Sequence, residues 1–592
     1  MIPNNKLIKK ILEKAVLVLS IISFFLVIYE EGFKQPFLSL PDSHYVLKVI
    51  LTMIWIGYIA QFFLSKWVKF NFKKQVAEII LIIMISLALF FIFSHFRVQG
   101  MDAMTSITTD RFLVDLLVSV VFLIELSKLS LGIGGLTLNP QMIFILSFLT
   151  LIGVGTFLLM LPKATYEPIH LVDALFTATS AVCVTGLIVL DTAKDFTLFG
   201  QFIIMILFQI GGLGMMTFTS FFGFFFKGHF SFQNQLFLKD FINEDRFGQV
   251  FNTLLKVITF TFLVEGVGAV LIYLSLDRSL FEGRLDMVFF SVFHSVSGFC
   301  NAGFSILSDG LYQEGFRENY NMQLIIALSI VLGGIGFPVV LSYYQYIKHL
   351  VKGLYKKMVF GESYRHVPRV VNVGTRLVMI TTGILLLVGF ITFWIFEEEH
   401  SLKGIEGYGK VVTAFFGAVT PRTAGFNTVD MTSMAGPTVL VYLLLMWIGA
   451  SPGSTGGGLK TSTFAVAILS TFSIAKGKDR VEVFRREISN ATLRKAFAVT
   501  FLSIMVMGAA VFLLKFFDRD LPLTSVVFEA FSAFSTVGLS LGITSGLSFG
   551  SKMVLILTMF VGRIGILTFL IGISRGVKTL SYRYPEESVF IT

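Results

Sequence analysis

One pattern recurs four times along the 592-residue chain and narrows its possible folds more than any other feature. It centres on Gly186, Gly303, Gly425 and Gly538. Ten residues before each glycine stands a phenylalanine: Phe176, Phe293, Phe415 and Phe528. Eight before stands a small residue: Ala178, Ser295, Gly417 and Ala530. Just after comes Leu187, Phe304, Phe426 or Leu539, and both cysteines, Cys183 and Cys300, fall three residues before their glycines. Each copy reads as a short helix ending in a glycine turn. Four copies imply a ring of four loops about one axis, the arrangement from which ion-selective pores are built.

The surroundings of these stretches decide the class. Hydrophobic residues make up 55% of the chain and charged residues 14%, with a mean hydropathy of +0.81. That implies an all-α polytopic membrane protein, with room for roughly ten to fourteen spans of about 20 residues. The ten-residue alternation of a membrane β-barrel is absent. The net charge of +10 sits in short connections between apolar runs, so it reads as membrane topology and not as a nucleic-acid surface. Two cysteines at equivalent repeat positions make no disulfide framework and read as reduced, packed thiols. The basic stretch from Met1 to Lys14 and the run after it lack a small-residue cleavage site, so the run reads as a first anchor.

The first part, residues 1–137, holds apolar runs at about Ala15–Tyr29, Val46–Leu64, Val76–Phe96 and Phe112–Ile124, about four transmembrane segments. Lys6, Lys9, Lys10 and Lys14 precede the first run, and Lys66, Lys69, Lys73 and Lys74 separate the second from the third. The positive-inside rule puts both clusters in the cytoplasm. Gly132 to Gly135 follow no strand and open no βαβ unit, so they are not a dinucleotide site. Four units then follow at 138–228, 229–350, 351–478 and 479–592, the last including a C-terminal tail. The outer first helices are expected at Met142–Leu161, Val250–Leu276, Leu377–Phe396 and Lys495–Phe516. The second helices are expected at Phe202–Phe226, Met322–Ile347, Thr438–Ile474 and Lys552–Ile573, only the third of them interrupted. The linkers between later units are basic, as at Lys348, Lys352, Lys356, Lys357, Arg365, Arg369 and Arg376, then Arg480, Arg485, Arg486, Arg494 and Lys495. The glycine turns therefore open outward, and both termini are inside.

A dehydrated cation needs its water oxygens replaced, and backbone carbonyls do this without a trapping charge. Glycine reaches backbone angles costly for other residues, and each short helix points its negative end at the cavity. Val184-Thr185-Gly186, Asn301-Ala302-Gly303, Thr423-Ala424-Gly425 and Thr536-Val537-Gly538 are thus the expected selectivity filter, holding K+ at their carbonyls. The competing explanation, that each glycine merely ends a buried helix, suits one copy better than four.

From about Asn139 onward the sequence resembles the superfamily of potassium transporters that includes the bacterial Ktr and Trk membrane subunits and their plant and fungal (HKT-type) relatives. The resemblance rests on Ser180-Ala-Val-Cys-Val-Thr-Gly-Leu, on Thr420-Pro-Arg-Thr-Ala-Gly-Phe-Asn-Thr-Val-Asp430, and on Gly449-Ala-Ser-Pro-Gly-Ser-Thr-Gly-Gly-Gly-Leu-Lys-Thr461. The last two are most similar to the Ktr branch. The resemblance implies four membrane-pore-membrane repeats around one pseudo-fourfold pore in a bacterial inner membrane, usually in a homodimer. It also implies a cytoplasmic regulatory ring with nucleotide-binding domains, while basic loops alone would equally suit membrane lipid. It implies K+ as substrate, with Na+ possible as a coupling or activating ion. The four N-terminal runs exceed the eight-helix Ktr pattern.

The second helix of the third unit carries Gly449, Ser451, Pro452, Gly453, Ser454, Thr455, Gly456, Gly457 and Gly458, which cannot continue a regular helix. By resemblance this is a gate loop beneath the filter; the other explanation is a static kink. Lys460 either joins the gate or snorkels. Arg563 stands within the fourth unit's second helix, where a charge costs about 2.5–3.5 kcal/mol on insertion scales. It is expected to face the pore beneath the filter and donate to gate-loop carbonyls, the alternative being a partner unrelated to gating. Gly211-Gly212 and Gly333-Gly334 occupy the equivalent positions. Asp191, Asp309 and Asp430 either concentrate cations at the outer mouth or cap turns. Asp173, His294 and Glu529 read as capped or hydrogen-bonded residues, and His400 beside three glutamates as solvated loop.

No phosphate-binding glycine loop is present, so the chain should not hydrolyse ATP. A membrane enzyme would need clustered acids, histidines or a nucleophile, and the eight histidines are scattered. A secondary transporter with inverted repeats would alternate its glycine turns between faces. The reading is a gated potassium uptake subunit, the nearest alternative a sodium-preferring or poorly selective cation pore.

Overall fold

The computed structural model describes residues 2–33, 40–65, 82–87, 89, 111, 113–122, 124–125, 140–214, 250–360 and 372–573. The lysines at 66, 69, 73 and 74, the stretch 132–135 with its three glycines, and the arginines at 365 and 369 lie outside the described residues. So do most of the third apolar run, the linker 215–249 and the tail 574–592. Among the described residues six helices are long and apolar enough to cross a membrane, or eight if two bent pairs each count as one span. Large side chains such as Leu149, Phe262, Leu263 and Phe501 point outward from these helices. An exposed apolar surface on that scale is stable only against lipid.

Helices α1 (Ile2–Gly32) and α2 (Leu40–Ser65) pack against each other. Their own core is built on Val16, Leu47, Leu51, Ile54 and Tyr58, joined by Val114 and Val118. The main body then repeats one order four times. A long helix is followed by a short one, a glycine turn and a second helix. The long helices are α3 (Pro140–Leu159), α6 (Val250–Ser275), α10 (Val373–Phe396) and α14 (Asn490–Phe517). The short ones are α4 (Leu171–Val182), α7 (Arg284–Cys300), α11 (Gly407–Val419) and α15 (Leu523–Ser535). The helices after the turns are α5 (Leu198–Leu213), α8 (Tyr320–Ile335), α12 (Gly436–Trp447) and α16 (Phe549–Ile564). Polar caps start several of these: Thr197 accepts from Gly200 N, Asn319 from Met322 N, and Ser548 from Ser551 N.

The four units close on themselves. Helix α5 packs on α7, α8 on α11, α12 on α15, and α16 back on α4. An ion pair seals the last joint, with Lys552 Nζ 2.6 Å from Asp173 Oδ1, both largely buried. Of the repeat phenylalanines on the short helices, Phe176, Phe293 and Phe528 are buried and Phe415 half-buried.

Two expectations about the second helices are corrected. The second and fourth do not run unbroken as Met322–Ile347 and Lys552–Ile573. Each bends by 95°, between α8 and α9 (Phe337–Phe360) and between α16 and α17 (Ile566–Ile573). The third is therefore not the sole interrupted one. The bends sit at Gly336 and Gly565, with φ of 91° and 85°, a region glycine enters without a Cβ clash. Pro338 follows at the start of α9, where its missing N–H costs nothing. In the third unit the break is longer, from Ile448 to Lys460, before α13 (Thr461–Ala475). A two-stranded hairpin, Glu482–Val483 against Arg486–Glu487, lies in the linker to the fourth unit.

Candidate functional site

The closure of the fold brings the four glycine turns into mutual contact. A Cβ placed on any of the four glycines would lie under 3.0 Å from a backbone carbonyl of the next unit. Gly186 faces the Ala302 oxygen, Gly303 faces Ala424, Gly425 faces Val537, and Gly538 faces Thr185. The contacts run one to two, two to three, three to four and four to one, so the turns form a closed ring of backbone. Each contact joins a glycine to the carbonyl of the residue just before the next glycine.

The local backbone repeats as well. Val184, Asn301, Thr423 and Thr536, two residues before their glycines, all have positive φ between 51° and 70°. The glycines themselves have φ of 88°, 70°, 81° and 95°. Left-handed backbone at valine and threonine is rare and carries a cost of order 1–3 kcal/mol, tolerated where surrounding contacts over-determine it. Those contacts are hydroxyls of the short helices. Ser180 Oγ accepts from Gly186 N at 3.1 Å, and Ser532 Oγ accepts from Gly538 N at 3.0 Å. Ser297 Oγ donates to Phe304 O at 2.7 Å, and Thr420 Oγ1 donates to Phe426 O. Sequence reasoning missed these residues. The signal was there: a serine stands six residues before the glycine in three units, with Thr420 one residue later in the third.

Directly beside the ring lies the interrupted stretch of the third unit. Gly457 N donates to Thr536 Oγ1 at 3.1 Å, and Thr455 Oγ1 donates to Phe299 O at 3.2 Å. A Cβ on Gly456 would overlap Thr423 Oγ1. Thr455 N and Ser451 N donate to the carbonyls of Gly333 and Gly334 at 3.3 and 3.1 Å, and Phe337 N donates to Gly453 O at 2.9 Å. The loop thus satisfies two freed amides on the glycine pair of the second unit and one carbonyl on its bend, as non-helical backbone at membrane depth requires.

Three cations hold the loop from different sides. Arg563, 1% exposed, donates to Thr455 O and, at 2.6 Å, to Gly211 O. Lys460 Nζ donates to Gly456 O at 2.6 Å, so it folds back on the loop instead of snorkelling away. Arg422, on the third glycine turn, donates to Gly449 O at 3.2 Å and Thr382 O at 3.4 Å. Charge-assisted bonds of this kind are about twice as strong as neutral ones. Gly211 belongs to the glycine pair that stands in the first unit where Arg563 stands in the fourth, each twenty-five residues after its turn glycine.

The acidic candidates divide differently. Asp191 accepts from Ala193 N and Asp430 from Thr432 N, which are local turn bonds. Asp309 offers its backbone oxygen to Asn427 Nδ2 at 3.0 Å. Asp173 holds Lys552; His294 bonds Phe290 O and Ser305; Glu529 accepts from Ser540 and Thr544. His400 is exposed, and Glu397 accepts from Ala435 N at 3.0 Å. Cys183 and Cys300 are both free and buried, and the Cys300 thiol donates to Gln209 Oε1.

Comparison with known proteins assigns a family to this geometry. A family described as TrkH, cation transport protein, matches residues 136–577. The chain belongs to the TrkH family of cation transport proteins. That family is one of transporters and not of enzymes. The Ktr system potassium uptake protein B of Vibrio alginolyticus is 36% identical, over 76% of this chain and 94% of its own length. The potassium/sodium uptake protein NtpJ of Enterococcus hirae is 34% identical, over 77% of this chain and 97% of its own. Among solved structures, the potassium transporter TrkH from Vibrio parahaemolyticus matches with a TM-score of 0.57 at 18% identity. It covers 84% of this chain and 98% of that one, a shared fold. The TrkH match begins at residue 136, so the α1–α2 pair lies before it.

Proposed function

We propose that this TrkH-family chain carries potassium ions through the ring formed by its four glycine turns, and that the loop beneath the ring gates the path. The closed circuit of glycine-to-carbonyl contacts carries this reading. Four segments that abut one another through backbone leave carbonyls as the available ligands, which suits a dehydrated monovalent cation. The filter is Val184-Thr185-Gly186, Asn301-Ala302-Gly303, Thr423-Ala424-Gly425 and Thr536-Val537-Gly538. The short helices α4, α7, α11 and α15 end at it, so their negative ends favour a cation there. The units at 138–228, 229–350, 351–478 and 479–592 are then four membrane-pore-membrane repeats, with 1–137 an added N-terminal bundle.

The gate is Gly449, Ser451, Pro452, Gly453, Ser454, Thr455, Gly456, Gly457 and Gly458, with Lys460 and Arg563. In the state described, its contacts with Thr423, Thr536 and the Phe299 carbonyl close the inner side of the filter, and the three cations repel an approaching K+. Helix α9 leaves the bundle at 95° carrying Lys348 and Lys357, a basic face suited to a cytoplasmic regulatory ring with nucleotide-binding domains. The likeness to the Ktr uptake proteins supports that partner, a homodimer, an inner-membrane location with both termini cytoplasmic, and sodium as a coupling or activating ion.

Rubidium and sodium uptake into liposomes, compared for wild type and Gly186→Ser, tests the filter. The expected result is a wild type that prefers rubidium and a variant whose preference falls by at least about tenfold, because a Cβ there meets the Ala302 carbonyl. Equal fluxes of both ions in wild type would favour the unselective pore instead.

A further inference from the structure

Two of the four short helices carry an ionisable residue one position after the repeat phenylalanine: His294 in the second unit and Glu529 in the fourth. Both are fully buried, at 0% exposure. The first and third units have Thr177 and Phe416 there. Two residues beyond the glycine, the second and fourth units each carry a serine, Ser305 and Ser540, where the others have Ile188 and Asn427. The structure joins these two differences. His294 Nε2 lies 2.9 Å from Ser305 Oγ, and Glu529 Oε1 accepts from Ser540 Oγ.

The two arrangements agree in chemical detail. Ser305 Oγ accepts from Leu307 N at 3.1 Å, and Ser540 Oγ accepts from Gly542 N at 2.9 Å. Each serine thus receives an amide from two residues onward and has its own hydroxyl hydrogen left to donate. In the second unit the acceptor is His294 Nε2, since Nδ1 lies 2.9 Å from the Phe290 carbonyl and carries the proton there. In the fourth unit it is the Glu529 carboxylate, which also receives Thr544 Oγ1 at 2.7 Å. An imidazole nitrogen and a carboxylate oxygen fill one role: a buried acceptor on the short helix that ties down the chain leaving the glycine turn.

We propose that Glu529 and His294 are positioning residues that fix the outer end of the filter on two opposite sides of the ring. The units follow one another around the ring in chain order, so the second and fourth face each other across it. The first and third sides lack the tie: Thr177 Oγ1 has no hydrogen-bond partner among the described residues, and Asn427 reaches sideways to the Asp309 carbonyl. All four turns keep their pinning hydroxyls, but the chain leaving the ring is tied back to a buried acceptor on its short helix along one diagonal only. This inference rests on the ring being a cation filter.

The test is the ratio of rubidium to sodium uptake by the full chain in liposomes, for wild type, Glu529→Ala, Glu529→Gln, Ser540→Ala, the Glu529→Ala/Ser540→Ala double variant and Thr177→Val. Expected are a ratio lowered several-fold in Glu529→Ala and Ser540→Ala, no further loss in the double variant, and wild-type ratios in Glu529→Gln, which keeps an acceptor oxygen, and in Thr177→Val. Non-additivity is the mark of two groups in one bond. A wild-type ratio in Glu529→Ala or Ser540→Ala overturns the tie. So does a ratio in Glu529→Gln as low as in the alanine variant, which would make charge the cause, or an equal loss in Thr177→Val. A wild type that does not discriminate at all overturns the filter reading itself, a separate outcome.

Discussion

Arg563 places a guanidinium inside the bundle and satisfies it on backbone, at Thr455 O and Gly211 O. No carboxylate is among these hydrogen-bond partners, so the charge is not neutralised by the bonds that orient it. Bonds from a charged donor contribute about 1.5–3 kcal/mol each. Releasing the one to the loop removes enough to shift a closed-to-open equilibrium by about tenfold or more. Arg563→Ala should raise basal rubidium uptake by about that factor. Arg563→Lys should fall between, because an ammonium cannot reproduce the two-pronged geometry. Unchanged uptake in both variants would separate Arg563 from gating.

At the scale of elements, the bends at Gly336 and Gly565 have the same angle but different surroundings. A Cβ on Gly565 meets nothing nearer than Thr568 Oγ1 at 4.0 Å, whereas one on Gly336 overlaps the Pro452 carbonyl of the loop. Gly565→Ala should therefore cost only the left-handed backbone penalty, about 1–2 kcal/mol, read as a modest loss of thermal stability in detergent. Gly336→Ala should cost more and change basal uptake as well, because the loop must move. Equal behaviour of the two variants would mean that the second-unit bend does not support the loop. These bends also mark the limit of what the sequence reveals. Gly449 to Gly458 is legible because five glycines and a proline cannot continue a helix. Gly336 and Gly565 are single glycines in apolar runs, and only the packing of the loop and of α3 against the bent segments distinguishes them from packing glycines. Similarly, the phenylalanine and glycine spacings make the ring legible. The serine hydroxyls that pin it stand in the same register but need the folded turn to show what they bind.

For the whole molecule, the N-terminal pair is attached at one corner of the main body. Lys163 N donates to Gly32 O at 2.9 Å, and Lys163 Nζ donates to Glu30 O at 2.8 Å. Gly32 sits so near Leu161 that a Cβ would fall 2.9 Å from its methyls, and Ile28 packs against the main core. These contacts fall on the turn that follows the long helix of the first unit and not on the ring. Lys163→Met should remove about 1.5–3 kcal/mol of docking free energy, lower the melting temperature and leave the rubidium-to-sodium ratio unchanged. A changed ratio would give the N-terminal helices a part in selection. The main body itself is a closed cycle of four units, sealed by the Asp173–Lys552 pair.

The central claim is that a dehydrated potassium-like ion sits among the four carbonyls at the ring. Anomalous scattering from crystals of the purified protein grown in rubidium measures this directly. The account predicts a rubidium peak on the axis, coordinated by the carbonyl oxygens of Thr185, Ala302, Ala424 and Val537. An ordered ring without a peak there, with rubidium bound elsewhere in the protein, would contradict it.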